Sequence, residues 1–219
     1  MSTAPRPTPQ AAFWNRMARR YAAAPMRSPE NWETTLTLTA ARLRPSDRVL
    51  EVGCGTGSTA LRLAGHVAAY VGTDDASAMV GIARERLAET PVAGLSFETA
   101  RPGDGSLPEG PFDVVTGFNI LHLLPDLPGA LAELRGRLKP GGLLITKTPC
   151  LGGTRYAALW PVVRALRLVG WAPPVRFLSP ARLETALVAA GFEILERGDY
   201  PARPPSRFVV ARSEPDTRV

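Results

Sequence analysis

Lysine is almost missing from this 219-residue chain: it occurs only at Lys139 and Lys147, so nearly all of the basic charge is arginine. A net charge of +6 and a pI near 10.0 would suit nucleic acid or an anionic membrane surface. No dense basic run carries that charge; Arg16, Arg19 and Arg20 are the closest cluster. Arginine, proline and alanine are abundant throughout, so the excess reads as compositional background and a nucleic-acid partner is not expected. Cysteine is scarce too, and Cys54 and Cys150 alone build no disulfide framework. No apolar stretch follows a basic start, and none reaches about 18 residues, which points away from a signal segment and a transmembrane helix. A soluble, cytoplasmic protein without stable membrane insertion is expected. There is no internal repeat and no second-domain linker, and the length suits one domain with a substantial core.

What the chain does have is a glycine turn. Val49-Leu50-Glu51-Val52 reads as a short apolar strand, Gly53-Cys54-Gly55-Thr56-Gly57 as the turn, and Ser58 to Ala64 as a helix. Strand, glycine turn and helix present backbone N–H groups to a ligand at the carboxyl edge of an α/β sheet. The dinucleotide fingerprint G-x-G-x-x-G/A is not met, because its last position holds Ser58. Glu51 stands at the strand end. A second acid, Asp74, closes the next apolar strand (Ala69 to Asp74), where a carboxylate can accept hydrogen bonds from both ribose hydroxyls of a nucleotide. Asp75 is the adjacent competitor.

The stretches VLEVGCGTG, GTDDASAM, FDVVTGFNILHLLPD and LKPGGLLI come in an order and spacing that resembles the class I S-adenosylmethionine (SAM)-dependent methyltransferases, in the group that includes quinone and small-molecule methylating enzymes. The resemblance covers about residues 10–212. It implies a Rossmann-like α/β fold: a seven-stranded, mostly parallel sheet flanked by helices, with N-terminal lid helices (10–45) and a helical insert after the fifth strand (149–178) that shapes the acceptor pocket. Residues 1–9 are expected to be a disordered leader and 213–219 a flexible tail. The resemblance also implies SAM as cofactor, S-adenosylhomocysteine (SAH) as product, and a small-molecule acceptor, in a monomer or homodimer.

By the family pattern, Glu51, Gly53, Cys54, Gly55 and Gly57 face the cofactor, Asp74 rather than Asp75 takes the ribose, Ser77 caps the next helix and Met79 lies beside the adenine, with core packing as the alternative for Met79. Tyr21 belongs to a W-x-x-x-A-x-x-Y helix (Trp14, Ala18, Tyr21) that resembles the family's lid; a packed amphipathic helix with Trp14, Met17, Ala18 and Tyr21 on one face is the other reading. After a third strand, Leu95 to Glu98, the chain departs from the pattern. Counting from Phe97 puts Arg101 where an acid or amide would contact adenine, and counting back from Leu107 favours Asp104; the backbone of Ala100 and Arg101 is the alternative.

The fourth strand, Phe112 to Thr116, releases the loop Gly117 to His122, with Asn119 at the cofactor. That loop lacks the (N/D)-P-P-(Y/F) stretch of amide- and adenine-N6-methylating enzymes. Asp126 caps a helix with Leu127, Leu131, Leu134 and Leu138 on one face, Lys139 to Gly142 ends it, and Leu143 to Thr148 is the fifth strand. Tyr156, Trp160, Val163, Arg167, Val169 and Trp171 lie on an apolar, arginine-bearing helix interrupted at Pro161; a pocket wall, a core element and a dimer contact are its alternatives. Ser179 and Pro180 start the last helix, Gly191 ends it, and Phe192 to Arg197 and Arg207 to Arg212 form a closing strand pair.

Methyl transfer from a sulfonium is an in-line displacement, so the protein's task is alignment and water exclusion. A general base is needed only where the acceptor must lose a proton. His122 is the candidate base, with an ordinary pKa of about 6.5; a structural residue or a pocket wall is its other reading. Phe118, Lys147, Tyr156 and Trp160 join His122 as candidate acceptor contacts. No carboxylate/amide cluster for a metal assembles at this edge, so no metal is expected. Three other readings stay open: a SAM-binding protein of the same fold without methyl transfer, a nicotinamide-dependent oxidoreductase, and an RNA methyltransferase suggested by charge alone.

Overall fold

Seven strands make one sheet in the order β3-β2-β1-β4-β5-β7-β6. The structure is a computed structural model that describes residues 8–26, 28–168, 173 and 175–214. The strands are β1 (Arg48–Val52), β2 (Ala69–Asp74), β3 (Leu95–Thr99), β4 (Phe112–Phe118), β5 (Leu138–Pro149), β6 (Phe192–Ala202) and β7 (Pro205–Ser213). The pairings among β3, β2, β1, β4 and β5 are parallel, and β7 runs antiparallel between β5 and β6. The chain steps outward on one side of β1 to β3, then crosses to start again with β4 on the other. That switch leaves a crevice at the carboxyl ends of β1 and β4, where open α/β sheets bind ligands.

The period-2 alternation of the strands divides the core between the two sheet faces. Leu50, Val52, Val115, Leu144 and Val209 face α5 (Leu127–Arg137) and α7 (Pro180–Ala189), which bring Leu131, Leu134, Leu183 and Leu187. Val49, Tyr70, Val114, Ile145 and Phe208 form the other cluster, with Leu36 of α2 (Pro29–Ala40), Leu63 of α3 (Ser58–Leu63) and Val80 and Ala83 of α4 (Ser77–Glu89). Each fully buried Leu is worth about 1.5–3 kcal/mol, which is why these periodic positions dictate the elements. A third cluster joins α1 (Pro9–Ala23) to α4 through Ala18, Ala76, Met79 and Ile82, with Trp14 and Ala22 against it.

Several boundaries differ from the sequence expectation. Thr8 and Pro9, read as leader, are the N-cap and first residue of α1, the Thr8 side chain accepting from the Ala11 N–H; residues 1–7 lie outside the described residues. The inward face of α1 runs through Ala11, Trp14, Ala18 and Ala22, its alanines allowing close approach to α4, and Tyr21 is left 54% exposed. Ser28 holds the cap position of α2 without a capping bond. Lys139 to Gly142 does not stop short of the sheet: β5 begins at Leu138, and a bulge lies between the pairs Phe112–Leu138 and Val114–Leu143. In the insert, a 3-10 turn at Arg155–Leu159 precedes α6 (Trp160–Leu168), so the break falls just ahead of Pro161. Val169, Trp171 and residues 215–219 lie outside the described residues, as do the side chains of Val163 and Arg167. Ser213, read as the start of the tail, is the last residue of β7. No helix among the described residues is long and apolar enough to cross a membrane.

Candidate active site

The glycine turn after β1 holds three left-handed residues, Gly53 (φ +71°), Gly55 (φ +55°) and Gly57 (φ +78°). Any side chain would be strained there. Gly53 and Gly57 are also packed from behind: a Cβ would come within 2.7 Å of the Ile120 side chain at Gly53 and of the Phe97 ring at Gly57. At Gly55 a Cβ would meet nothing within 4 Å. The turn is thus pressed against the protein at both ends and open at its middle. Cys54 is buried in it, its N–H donating to Thr73 O at 2.9 Å.

The adjacent acids at the end of β2, Asp74 within it and Asp75 just past it, have separate tasks. Asp74 turns back to the glycine turn, its Oδ2 accepting from the Gly55 N–H (3.0 Å) and its Oδ1 from the Ala76 N–H (2.8 Å). Burial raises its pKa to about 6 against the opposing effect of those N–H bonds. Asp75 instead holds α1, accepting from the Thr8 hydroxyl at 2.5 Å and lying 3.7 Å from the Arg101 guanidinium. Asp104 is tied up in its own loop, bonded to the Ser106 N–H and paired with Arg101 at 2.8 Å.

The helices beside the turn are fastened to it. Ser77 is the first residue of α4 rather than its cap; the Ala78 N–H is taken by Asn15 Oδ1 of α1 at 2.9 Å. Arg86 donates to Thr56 O, Thr56 Oγ1 and Ser58 Oγ in the turn and to Ala22 O at the end of α1. Met79 is buried between α1 and α4.

Glu51 is only 2% exposed. The buried Tyr70 hydroxyl donates to its Oε2 at 2.9 Å and lies 3.3 Å from Thr116 Oγ1. Desolvation, opposed by the Tyr70 bond, raises the Glu51 pKa to about 7.

Past β4 the chemistry changes. Asn119 is exposed in a left-handed conformation (φ +58°), its N–H donating to Lys147 O at 2.7 Å. Phe118 is half-buried, and Ile120 lies over Gly53. His122 sits in the 3-10 turn Leu121–Leu123 with its Nδ1 buried and, among the described residues, unpartnered. Burial pushes its pKa down to about 4. Its carbonyl accepts from the Arg176 N–H (2.7 Å), and the Arg176 guanidinium donates to Leu124 O and Pro125 O, which lays the end of the insert over this turn. Lys147 is buried but points to α2, donating to Asn31 O (3.2 Å) and Thr35 Oγ1 (3.0 Å); burial lowers its pKa. Tyr156 is half-buried and bonded to the Arg155 guanidinium, and Trp160 is 47% exposed beneath Arg164.

The methyltransferase domain profile matches residues 14–197. The chain belongs to the class I SAM-dependent methyltransferases. It is 33% identical to nocamycin O-methyltransferase of Saccharothrix syringae over 187 residues, covering 74% of this chain and 66% of that one. It is 29% identical to a ubiquinone biosynthesis O-methyltransferase of Rhizobium johnstonii over 157 residues, 68% of this chain and 61% of that one. It thus spans less than two thirds of either curated relative. Magnesium protoporphyrin IX methyltransferase of Synechocystis PCC 6803, solved with bound SAH, superposes with a TM-score of 0.68 at 21% identity over 94% of this chain and 96% of that one, a likeness of fold.

In this member of the family the structure gathers Glu51, Gly53, Cys54, Gly55, Gly57 and Asp74 at one crevice, with Asn119 on the loop after the neighbouring strand. It sets Met79, Asp75 and Asp104 to packing and pairing, and leaves Tyr21 edge-to-face with Trp14 at 5.8 Å. Sequence reasoning missed Tyr70, Asn15 and Arg86. For Tyr70 one signal existed, a hydroxyl within an otherwise apolar strand that must find a partner when buried. An open groove of about 620 Å³ lies further along, between Thr154, Ser179 and the ends of β6 and β7. Its Arg197 and Arg207 are paired with Glu184 and Asp199, so its charge is balanced internally.

Proposed function

We propose that the protein transfers a methyl group from SAM to an O, N or C nucleophile of a small, apolar or aromatic acceptor. The observation that carries this reading is the glycine turn, left-handed at its three glycines, open at Gly55 and bonded there to the Asp74 carboxylate. Those residues fit the cofactor chemically. Asp74 would exchange its Gly55 bond for ribose hydroxyls, the turn would admit the cofactor backbone at Gly55, and Glu51 would receive an ammonium. When bound, SAM supplies a methyl group already activated on a sulfonium. The chain's own residues then need only hold the acceptor in line and keep water out.

On the acceptor side we assign Phe118, Tyr156 and Trp160 as apolar walls, with Asn119 presenting the loop. His122, unpartnered and with its pKa held low, acts as a neutral hydrogen-bond acceptor that orients the nucleophile rather than as a base poised at neutrality. Lys147, held by α2, is left to anchor that helix. The relatives' O-methyl transfer makes hydroxyl acceptors the first to try. The test is calorimetry with SAM and SAH, followed by SAH production over a panel of phenols, quinols and amines. Micromolar binding with SAH formed on a panel member is expected. Binding without SAH formation on any member would favour a cofactor-binding protein of this fold that does not methylate, and no binding of either ligand would overturn the assignment.

A further inference from the structure

The buried polar row Tyr70–Glu51–Thr116 runs across three adjacent strands directly under the glycine turn. Glu51 and Thr116 are cross-strand partners in the β1–β4 register, and Tyr70 reaches them from β2. All three are buried, in a cluster that is otherwise apolar. An acid there is costly unless something holds its charge. Tyr70 engages one carboxylate oxygen, Oε2; among the described residues nothing engages Oε1. The charged or titratable groups facing Glu51 are Tyr70 and Asp74 of β2 and Cys54 of the turn, and none is a cation. The acid therefore lacks a positive partner on a site that is open at Gly55, a few residues along the same chain.

We infer that Tyr70 is a positioning residue for cofactor binding: its phenol, backed by Thr116, fixes Glu51 through Oε2 and leaves Oε1 to receive the ammonium of the ligand's amino-acid end. This rests on the proposed function. Cofactor binding is then coupled to proton release. The empty site holds Glu51 partly protonated near neutrality, and the complex requires it ionised, so SAH affinity climbs as pH rises through about 7. Removing the phenol removes the bond that favours the ionised form and moves the climb to higher pH.

Calorimetry from pH 5.5 to 8.5 tests this with two probes: SAH, and 5′-methylthioadenosine, which shares the adenosine but lacks the amino-acid end. In the wild type, both affinities should rise near pH 6 as Asp74 ionises, and SAH affinity alone should go on rising through about 7. Tyr70→Phe should weaken SAH roughly tenfold at pH 7 and methylthioadenosine less than about twofold. Glu51→Gln should reduce the pH dependence of SAH to that of methylthioadenosine, and adding Tyr70→Phe to it should change SAH affinity no further. Equal weakening of both probes by Tyr70→Phe, or a wild-type SAH affinity that rises with pH no more than that of methylthioadenosine, would overturn the inference while leaving the proposed function standing. Failure of both probes on the wild type would remove the proposed function and this inference together.

Discussion

The two halves of the sheet's carboxyl edge are built from opposite charges. Under β1 and β2 lie two acids, Glu51 and Asp74, whose pKa values burial raises to about 7 and about 6. Beside β4 and β5 lie two bases, His122 and Lys147, whose values burial lowers. In both halves the charged form is disfavoured, and in neither does a counterion relieve it. Asp74, however, is bonded to an open turn and Glu51 lies near the end of the strand that leads into it, whereas Lys147 is bonded into α2 and His122 lies beneath the Arg176 segment. The acidic half is shaped for a cation that arrives; the basic half is kept neutral or capped, which suits an apolar acceptor. A sulfonium donor that also carries an ammonium matches that division.

The acidic half should break first. Asp74→Ala is expected to weaken SAM binding by about 1–3 kcal/mol, the cost of leaving ribose hydroxyls without their charged partner. Asp75→Ala should cost clearly less, since that carboxylate serves Thr8 and Arg101. Calorimetry on both variants decides; the reverse order would exchange their roles.

Glu51→Gln should do the opposite to stability. A folded pKa raised from an ordinary 4.5 to about 7 gives stability that is complete below the unfolded value and lost as pH rises through 7. At pH 8 the wild type therefore carries a buried, unpaired charge. Removing it should stabilise the cofactor-free protein by about 1–2 kcal/mol, less than the full shift because Gln also needs partners. Thermal melts at pH 8 and pH 5 check the sign: the gain belongs at pH 8 and should vanish at pH 5. A loss at pH 8 would mean that the carboxylate is paired after all.

What could be read from the sequence follows from distance along the chain. Strand β1, the glycine turn, the helix behind it and Asp74 were legible because each is a local pattern: period-2 apolar residues, glycines at left-handed positions, an acid at a strand end. The caps at Asp126 and Ser179 were legible for the same reason. The Asn15 cap of α4 was not, because it spans 63 residues and only packing brings the partners together. Counting along the chain does not reveal that Asp104 pairs with Arg101, three residues before it. Lys147 was placed at the acceptor, yet the alternation of β5 already set it on the Ile145 face, toward α2.

Lys147→Met sharpens the other half. Thr35 Oγ1 also donates to Asn31 O, so losing the ammonium leaves neither group without a bond. Methionine fills much of the same volume without a buried charge. A change below about 1 kcal/mol is expected, a shift of Tm under roughly 3 °C. A larger fall would make the ammonium a net anchor for α2.

The smallest effect expected is on the pH profile of turnover at His122. A folded pKa lowered from 6.5 to about 4 leaves the ring neutral across the working range, with its stability contribution complete above 6.5 and lost as pH falls toward 4. His122→Gln should therefore reduce turnover less than about tenfold, without removing an inflection between pH 6 and 8. An inflection in that window should appear in kcat/KM for SAM, belong to Glu51 of the free protein, and disappear in Glu51→Gln instead. The two variants thus assign the titration to one half of the edge or the other. An inflection near 6.5 that His122→Gln abolishes would show that the ring gains a partner when the acceptor binds, and the neutral half would then house a working base.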